Sequence, residues 1–440
     1  MDSKQSQADH LCVLVHGLWG NPVHLKYLED TLKEAHEGEG LHILIPKSNS
    51  NNWTYDGIEV GGERITNEIE QTIKELEHGG AKVRKISVVG YSLGGLVARY
   101  AIGLLYKAGT FENIEPVNFT TFATPHLGVR APKRGFGTSI WNKLGGRTLS
   151  TSGQQMFLID EFRKSGRPLL SILADENSIF MKGLALFKNK SLYANIINDR
   201  SVPYYTAGIS RTDPFVDLEQ VQVHYAEGQK DDPVILSPEH PVSKRKPRRK
   251  SELMKMSFYQ RYAVSEETRK SLPFYALFFA LMPIAFPTFL INSAIQTYRS
   301  AQRVKLHEAG QAGISLGRYR IPLLEEAQHA QERAFERVAT NQSAEYLPTP
   351  PPERSDDLPS KRPALQRSQT NRDPLGFPIL ALTDDQFRMI ENLDGVGFEK
   401  FPVYIQKHRH THAAIVVRTE KAGFEEGKAV VRHWAGRFEV

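Results

Sequence analysis

The chain has 440 residues, 40 % of them hydrophobic, enough to bury one large domain with insertions or two domains. Its net charge of +6 is concentrated in one basic run, which makes no general case for nucleic acid as a partner. A single cysteine, Cys12, excludes an internal disulfide and fits a reducing compartment, and the polar opening MDSKQSQADH lacks the apolar core of a secretory signal.

In chain order, LCVLV (11–15) reads as a strand. Asn21-Pro22 then reads as helix cap and first helical position, with Leu25, Leu28, Leu32 and Ala35 following at helical spacing. LHILI (41–45) is a second strand, and Ile65, Ile69, Ile73 and Leu76 mark a second helix. KISVVG (85–90) is a third strand, followed by a helix carrying Leu96, Val97, Tyr100, Ala101, Leu104 and Leu105. VNFTTFA (117–123) and LYANIIN (192–198) are further strands. This alternation over residues 11–225 predicts an α/β fold, a mostly parallel sheet with helices on both faces. Mixed apolar and small residues at about 129–192 predict a cap segment, in which FLID and IFMKGLALF serve either as an acyl-chain pocket or as packing helices.

After residue 225 the pattern changes. An insertion at 226–339 carries KRKPRRK (244–250), with six basic residues in seven, and LPFYALFFALMPIAFPTFLI (272–291), twenty residues without a charge. Residues 340–374 are rich in Pro, Ser and charge and poor in apolar side chains, so they are expected to be disordered. Residues 375–440 rejoin the first unit, with EKFPVYI (399–405) as its last strand.

The chemistry centres on VVGYSLGGLVARY (88–100), a G-x-S-x-G sequence with a strand before it and a helix after it. A sharp turn there lifts the Ser92 hydroxyl above the carboxyl edge of a sheet, and the helix N-terminus offers N–H groups to a developing oxyanion. HGLWGNP (16–22), directly after the first strand, can aim an N–H of Leu18 or Trp19 at the oxygen served by Leu93 N–H. LVHGLWGNP and GYSLGGLVARY together resemble lipases of the α/β-hydrolase superfamily, and FATPHLGV (122–129) adds to the likeness. TYDGIEVGGERI (54–65) and SGQQMFLID (152–160) narrow it to a serine esterase family of fungal lipase-like proteins, over about 11–220 and 375–420. That family includes a lipid-droplet phospholipase and a monoacylglycerol lipase. The resemblance implies an α/β-hydrolase fold and a lipid substrate; the insertion before the last strand matches less distinctly, and its membrane association is expected from its own basic and apolar runs.

A serine nucleophile needs a base and an acid to orient it, in the order Ser, Asp or Glu, His along such a chain. Asp199, just after LYANIIN, fits the acid, with Asp160, Asp213 and Asp217 as rivals. His408, His410 and His412 follow the last strand and compete for the base; the resemblance of THAAIVVR (411–418) to the family's histidine motif favours His412. A metal site on this His-x-His-x-His run is the rival reading, with no nearby Cys or acidic cluster to complete it. His126 is expected to be structural. The set requires no metal or organic cofactor.

These residues predict a serine hydrolase, and the resemblance implies that it acts on phospholipid or acylglycerol esters. The alternatives are a transacylase or thioesterase with the same triad, or a non-catalytic membrane or lipid-droplet tether that retains the fold. As a helix, 272–291 would reach about 30 Å, enough to span a bilayer. A single crossing would separate Ser92 and Asp199 from His412, however, and Lys250, Lys255 and Arg261 before it balance Arg299, Arg303 and Lys305 after it. With Pro273, Pro283 and Pro287 inside, the expectation is a bent apolar hairpin entering one leaflet from the cytoplasmic face of a membrane or lipid droplet.

Overall fold

The computed structural model describes residues 8–129, 145–229, 233–245, 266–314, 316, 319 and 377–440. Its strands are β1 (His10–Val15), β2 (Leu41–Leu44), β3 (Lys85–Tyr91), β4 (Glu115–Phe122), β5 (Asn189–Asn195), β6 (Val221–Val223), β7 (Val242–Lys244) and β8 (Glu399–Val403). Its helices are α1 (Lys26–Ala35), α2 (Ile58–His78), α3 (Leu93–Lys107), α4 (Ser150–Met156), α5 (Leu169–Leu173), α6 (Ile179–Ala185), α7 (Tyr204–Ala207), α8 (Glu266–Glu308), α9 (Asp384–Gly395), α10 (Thr411–Ala414) and α11 (Glu425–Ala435).

Six strands form one sheet in the order β2-β1-β3-β4-β5-β8, every pair parallel. Side chains alternate across a strand, and here both faces are buried. Leu11, Val13, Val15, Ile86 and Val88 join Ile65 and Ile69 of α2 and Leu96, Val97 and Tyr100 of α3 in one core. Cys12, Leu14, Val89, Tyr91 and Phe401 join Leu28 and Leu32 of α1 and Val430, Val431 and Trp434 of α11 in the other. Because the strands run the same way, the segments after β1, β3, β5 and β8 all emerge at one edge of the sheet.

The antiparallel pair β6–β7 is not apparent in the sequence, since three-residue strands are too short to show a period. The loop between them lies along β8: Leu236 N–H donates to Pro402 O at 2.9 Å and Tyr404 N–H to Val234 O at 2.7 Å. It thereby covers an edge that would otherwise present unpaired backbone. In the cap segment, Phe180, Met181 and Leu184 of α6 are buried and belong to the same core as α3, so IFMKGLALF serves packing.

Residues 272–291 do not form a hairpin. They lie within α8, a single helix of 43 residues. Each proline removes one donor, and that loss bends or weakens a long helix without having to end it. Among the described residues no helix is long and apolar enough to cross a membrane. The two faces of α8 are inverted relative to an ordinary surface helix. Ser293, Gln296, Ser300 and His307 are buried, whereas Ile284, Ile291, Ile295, Tyr298 and Leu306 are exposed. At 100° per residue these five exposed side chains occupy an arc of about 80°, with the exposed Leu290 outside it, and the buried polar set spans about 60° across the helix. Residues 246–250 of the basic run and the 340–374 segment lie outside the described residues.

Candidate active site

β3 delivers Ser92 into a turn at φ 56° and ψ −129°, after which α3 begins at Leu93. Neighbouring backbone and a threonine side chain approach this turn closely, at positions where only glycine fits. A Cβ on Gly94 would stand 2.2 Å from Val15 O, and one on Gly95 would stand 2.2 Å from Thr124 Oγ1. The Ser92 N–H still bonds Phe122 O at 2.9 Å, tying the turn to β4.

β5 ends four residues before Asp199, and β8 leads through a short loop into α10, which carries His412. His412 Nε2 lies 3.0 Å from Ser92 Oγ, and His412 Nδ1 lies 2.8 Å from Asp199 Oδ2. Asp199 Oδ1 also accepts the Ser201 and Val202 N–H groups at 3.0 and 2.8 Å, and Oδ2 accepts Asn195 Nδ2 at 3.0 Å. Burial alone would raise the Asp199 carboxyl, but attraction to His412 and these hydrogen bonds outweigh it and hold the group below its usual value. With Asp199 ionised, and so only an acceptor, the proton of a neutral His412 sits on Nδ1. That leaves Nε2 as acceptor for the Ser92 hydroxyl. The Tyr91 hydroxyl donates to His412 O at 2.8 Å, so the strand that delivers the serine also fixes the backbone of the histidine.

The competing residues are placed elsewhere. Asp160 accepts Leu169 N–H at 2.9 Å, Asp213 caps the Pro214–Val216 turn through Phe215 N–H, and Asp217 accepts Glu219 N–H. His408 packs edge-on against Phe424, and its Nδ1 accepts the His410 N–H. His126 is fully buried with its Nε2 3.0 Å from Thr121 Oγ1, and burial lowers its pKa well below the ordinary value. Asn195 and Tyr91 hold the acid and the base, yet neither was singled out from the sequence: Tyr91 acts through a partner 321 residues away, and Asn195, four residues before Asp199, reads there only as the end of a strand.

The loop after β1 passes directly over the serine. A Cβ on Gly17 would stand 2.7 Å from Ser92 Cβ. Leu93 N–H, the first of its helix, has no helical carbonyl to bond. Leu18 N–H has no hydrogen-bond acceptor among the described residues. Trp19 does not fit the expected oxyanion role: at φ 54° its N–H turns away and donates to Thr54 Oγ1 at 3.0 Å.

A strained serine hydrogen-bonded to a histidine and through it to a buried carboxylate, with two N–H groups that have no acceptor among the described residues, forms an arrangement suited to acyl transfer. Residues 5–212 match the family described as Putative serine esterase. Two fungal proteins are similar to this chain. "Putative lipase ROG1" of Saccharomyces cerevisiae is 33 % identical over 239 residues, covering 53 % of this chain and 33 % of that protein. "Putative lipase C4A8.10" of Schizosaccharomyces pombe is 29 % identical over 216 residues, covering 47 % of this chain and 27 % of that protein. The chain thus spans about a third of the length of the curated relatives it matches. Among solved structures, a lipase-esterase related protein from Clostridium acetobutylicum is 16 % identical, covering 32 % of this chain and 51 % of that one with a TM-score of 0.22. An alpha/beta hydrolase fold protein from Nakamurella multipartita is 12 % identical, covering 41 % and 61 %, with a TM-score of 0.19. At that level of overlay the likeness bears on neither substrate nor mechanism.

Proposed function

We propose that the protein is a serine esterase that hydrolyses carboxylic esters of glycerophospholipids or acylglycerols at a membrane or lipid-droplet surface, through an acyl-enzyme on Ser92. The observation that carries this reading is the continuous hydrogen-bonded path from Ser92 Oγ through His412 to Asp199. His412 Nε2 takes the hydroxyl proton as Ser92 attacks the ester carbonyl. Leu93 N–H and Leu18 N–H receive the oxyanion, and His412 returns the proton to the leaving alcohol. Water, activated by the same histidine, then releases the acid. Asp199 stays ionised throughout and stabilises the imidazolium.

Two features support a lipid as substrate: the names of the fungal relatives, and the outward apolar face of α8. Such a face suits an acyl-chain environment better than water. The test is a fluorophosphonate probe together with product analysis on phospholipid and acylglycerol vesicles. Wild type should be labelled and release fatty acid, and Ser92→Ala should do neither. Labelling that persists in Ser92→Ala, or a labelled wild type that releases no acid from any lipid ester, overturns the reading.

A further inference from the structure

We propose that Arg303 of α8 is a positioning residue for this reaction: docked on Asp56, it holds the Asn51–Tyr55 turn against the His16–Gly20 loop and so fixes the loop's free N–H over Ser92. The inference rests on the esterase reading above.

The connection can be followed atom by atom from the helix to the serine. Arg303 Nε lies 3.1 and 3.0 Å from the two Asp56 oxygens, and its Nη2 donates to Asp56 Oδ1 at 2.6 Å and to Asn52 O at 2.9 Å. Asp56 is buried and also pairs with Arg64 at 2.9 Å, and both guanidinium groups lie over the Trp53 ring, at 5.5 Å for Arg303 and 4.6 Å for Arg64. A bidentate guanidinium contact of this kind has a defined direction as well as strength. The turn it holds meets the glycine-rich loop at three points. Thr54 Oγ1 accepts Trp19 N–H at 3.0 Å, Asn51 N–H donates to Gly20 O at 2.7 Å, and Ser50 Oγ lies 3.2 Å from His16 Nε2. Thr54 Oγ1 itself donates to Asn51 O at 2.6 Å, so the hydroxyl's direction is set and its lone pair faces Trp19. Between these anchors lie Gly17, against Ser92, and Leu18, whose N–H has no acceptor among the described residues. The Trp19 N–H is therefore the clamp that orients its neighbour.

Two consequences distinguish a positioning role from general support. An oxyanion donor acts on charge that develops only in the transition state, so misplacing it lowers kcat and leaves KM nearly unchanged. Residues on one path also act as a unit, so their effects do not add. On a soluble short-chain ester, Arg303→Met should lower kcat about tenfold with KM within about twofold, since small misplacements at a reacting centre cost factors of this size. Thr54→Val should have a similar effect, and the double variant should be little worse than either. Arg303→Lys, which keeps the charge on Asp56 but loses the fork, should recover part of the rate. Gln302→Met, at an exposed neighbouring position, controls for the helix itself. Thermal melting of each variant reports on folding, and a kcat defect that Arg303→Lys fails to recover at all counts against the proposal. An active wild type with an unchanged Arg303→Met kcat, or with effects that multiply in the double variant, overturns the latch alone. A wild type that neither turns over ester nor reacts with fluorophosphonate overturns the esterase reading and the latch with it.

Discussion

Ser92 sits at a backbone conformation that only glycine adopts freely, which for a serine costs on the order of 1–3 kcal/mol. Strain of that size persists only where the surroundings over-determine it, and here β1, β4 and α3 all press on the turn. The three histidines after β8 show how little residue type alone settles, because they differ in direction. His408 packs against Phe424, whereas His412 is buried between Ser92 and Asp199. His412→Ala is therefore expected to lower kcat by several orders of magnitude, and His408→Ala and His410→Ala to remain within about tenfold. Asp199→Asn should cost about 10³–10⁴, since an amide can stabilise the wrong imidazole tautomer. Steady-state kinetics on one soluble ester decides among them; a dead His410→Ala beside an active His412→Ala would refute the assignment.

Elements rather than residues determine the electrostatics where α8 meets α2 and α4. Glu59, Glu63, Arg163 and His307 line a cavity of about 430 Å³ there. His307 Nε2 lies 2.6 Å from Glu63 Oε2, and Arg163 pairs with Glu59. Burial pushes the Glu59 carboxyl up to about 7; Arg163 opposes the rise and Glu63 adds to it. A carboxyl raised in the folded state binds a proton that the unfolded chain has already released, so stability falls as pH rises from about 4.5 to 7 and levels off above that. Glu59→Gln removes this loss. It should melt higher than wild type at pH 8 and show little advantage at pH 4.5, a difference that melting curves across the range would measure. A constant offset at both pH values would refute the argument. The same comparison of elements shows what the sequence could disclose. β1 to β5 and α1 to α3 carry periods of two or 3.6 and are legible as elements, β1 to β3 to within a residue, whereas β5 begins three residues before its apolar run and α2 seven residues before Ile65. The short pair β6–β7 has no period to read. The α8 prolines suggested a reversal because local rules price one lost donor but cannot weigh it against a helix docked along its C-terminal half. Of the site, the order Ser, Asp, His was readable. That Trp19 N–H turns to Thr54 was not, because it depends on a positive φ and on a threonine 35 residues away.

At the scale of the whole molecule, the insertion leaves and rejoins one body. β7 pairs with β6 beside the sheet, and the polar stripe from Ser293 to His307 lies on the core, with Ser293 Oγ donating to Thr148 O at 2.6 Å. The sheet then closes with β8, which brings His412 to the serine. We propose that α8 lies along a lipid surface with its outward isoleucines in the acyl region, which keeps the triad and both ends of the insertion on one side. Burying an isoleucine in an apolar medium is worth about 1.5–3 kcal/mol, and a carboxylate in its place adds a desolvation cost. Ile291→Glu with Ile295→Glu should therefore reduce partition onto anionic phospholipid vesicles by tenfold or more. Because both side chains are exposed and face away from the core, the melting temperature should change little. The basic residues of the 244–250 run, among them Lys244 and Arg245, would add attraction to acidic headgroups that falls with a Debye length of about 3 Å at 1 M salt, so wild-type binding should also weaken as sodium chloride is raised. Vesicle co-sedimentation reads both effects. Unchanged partition of the double variant would show that this face of α8 does not meet lipid, and the apolar stripe would then need a protein partner instead.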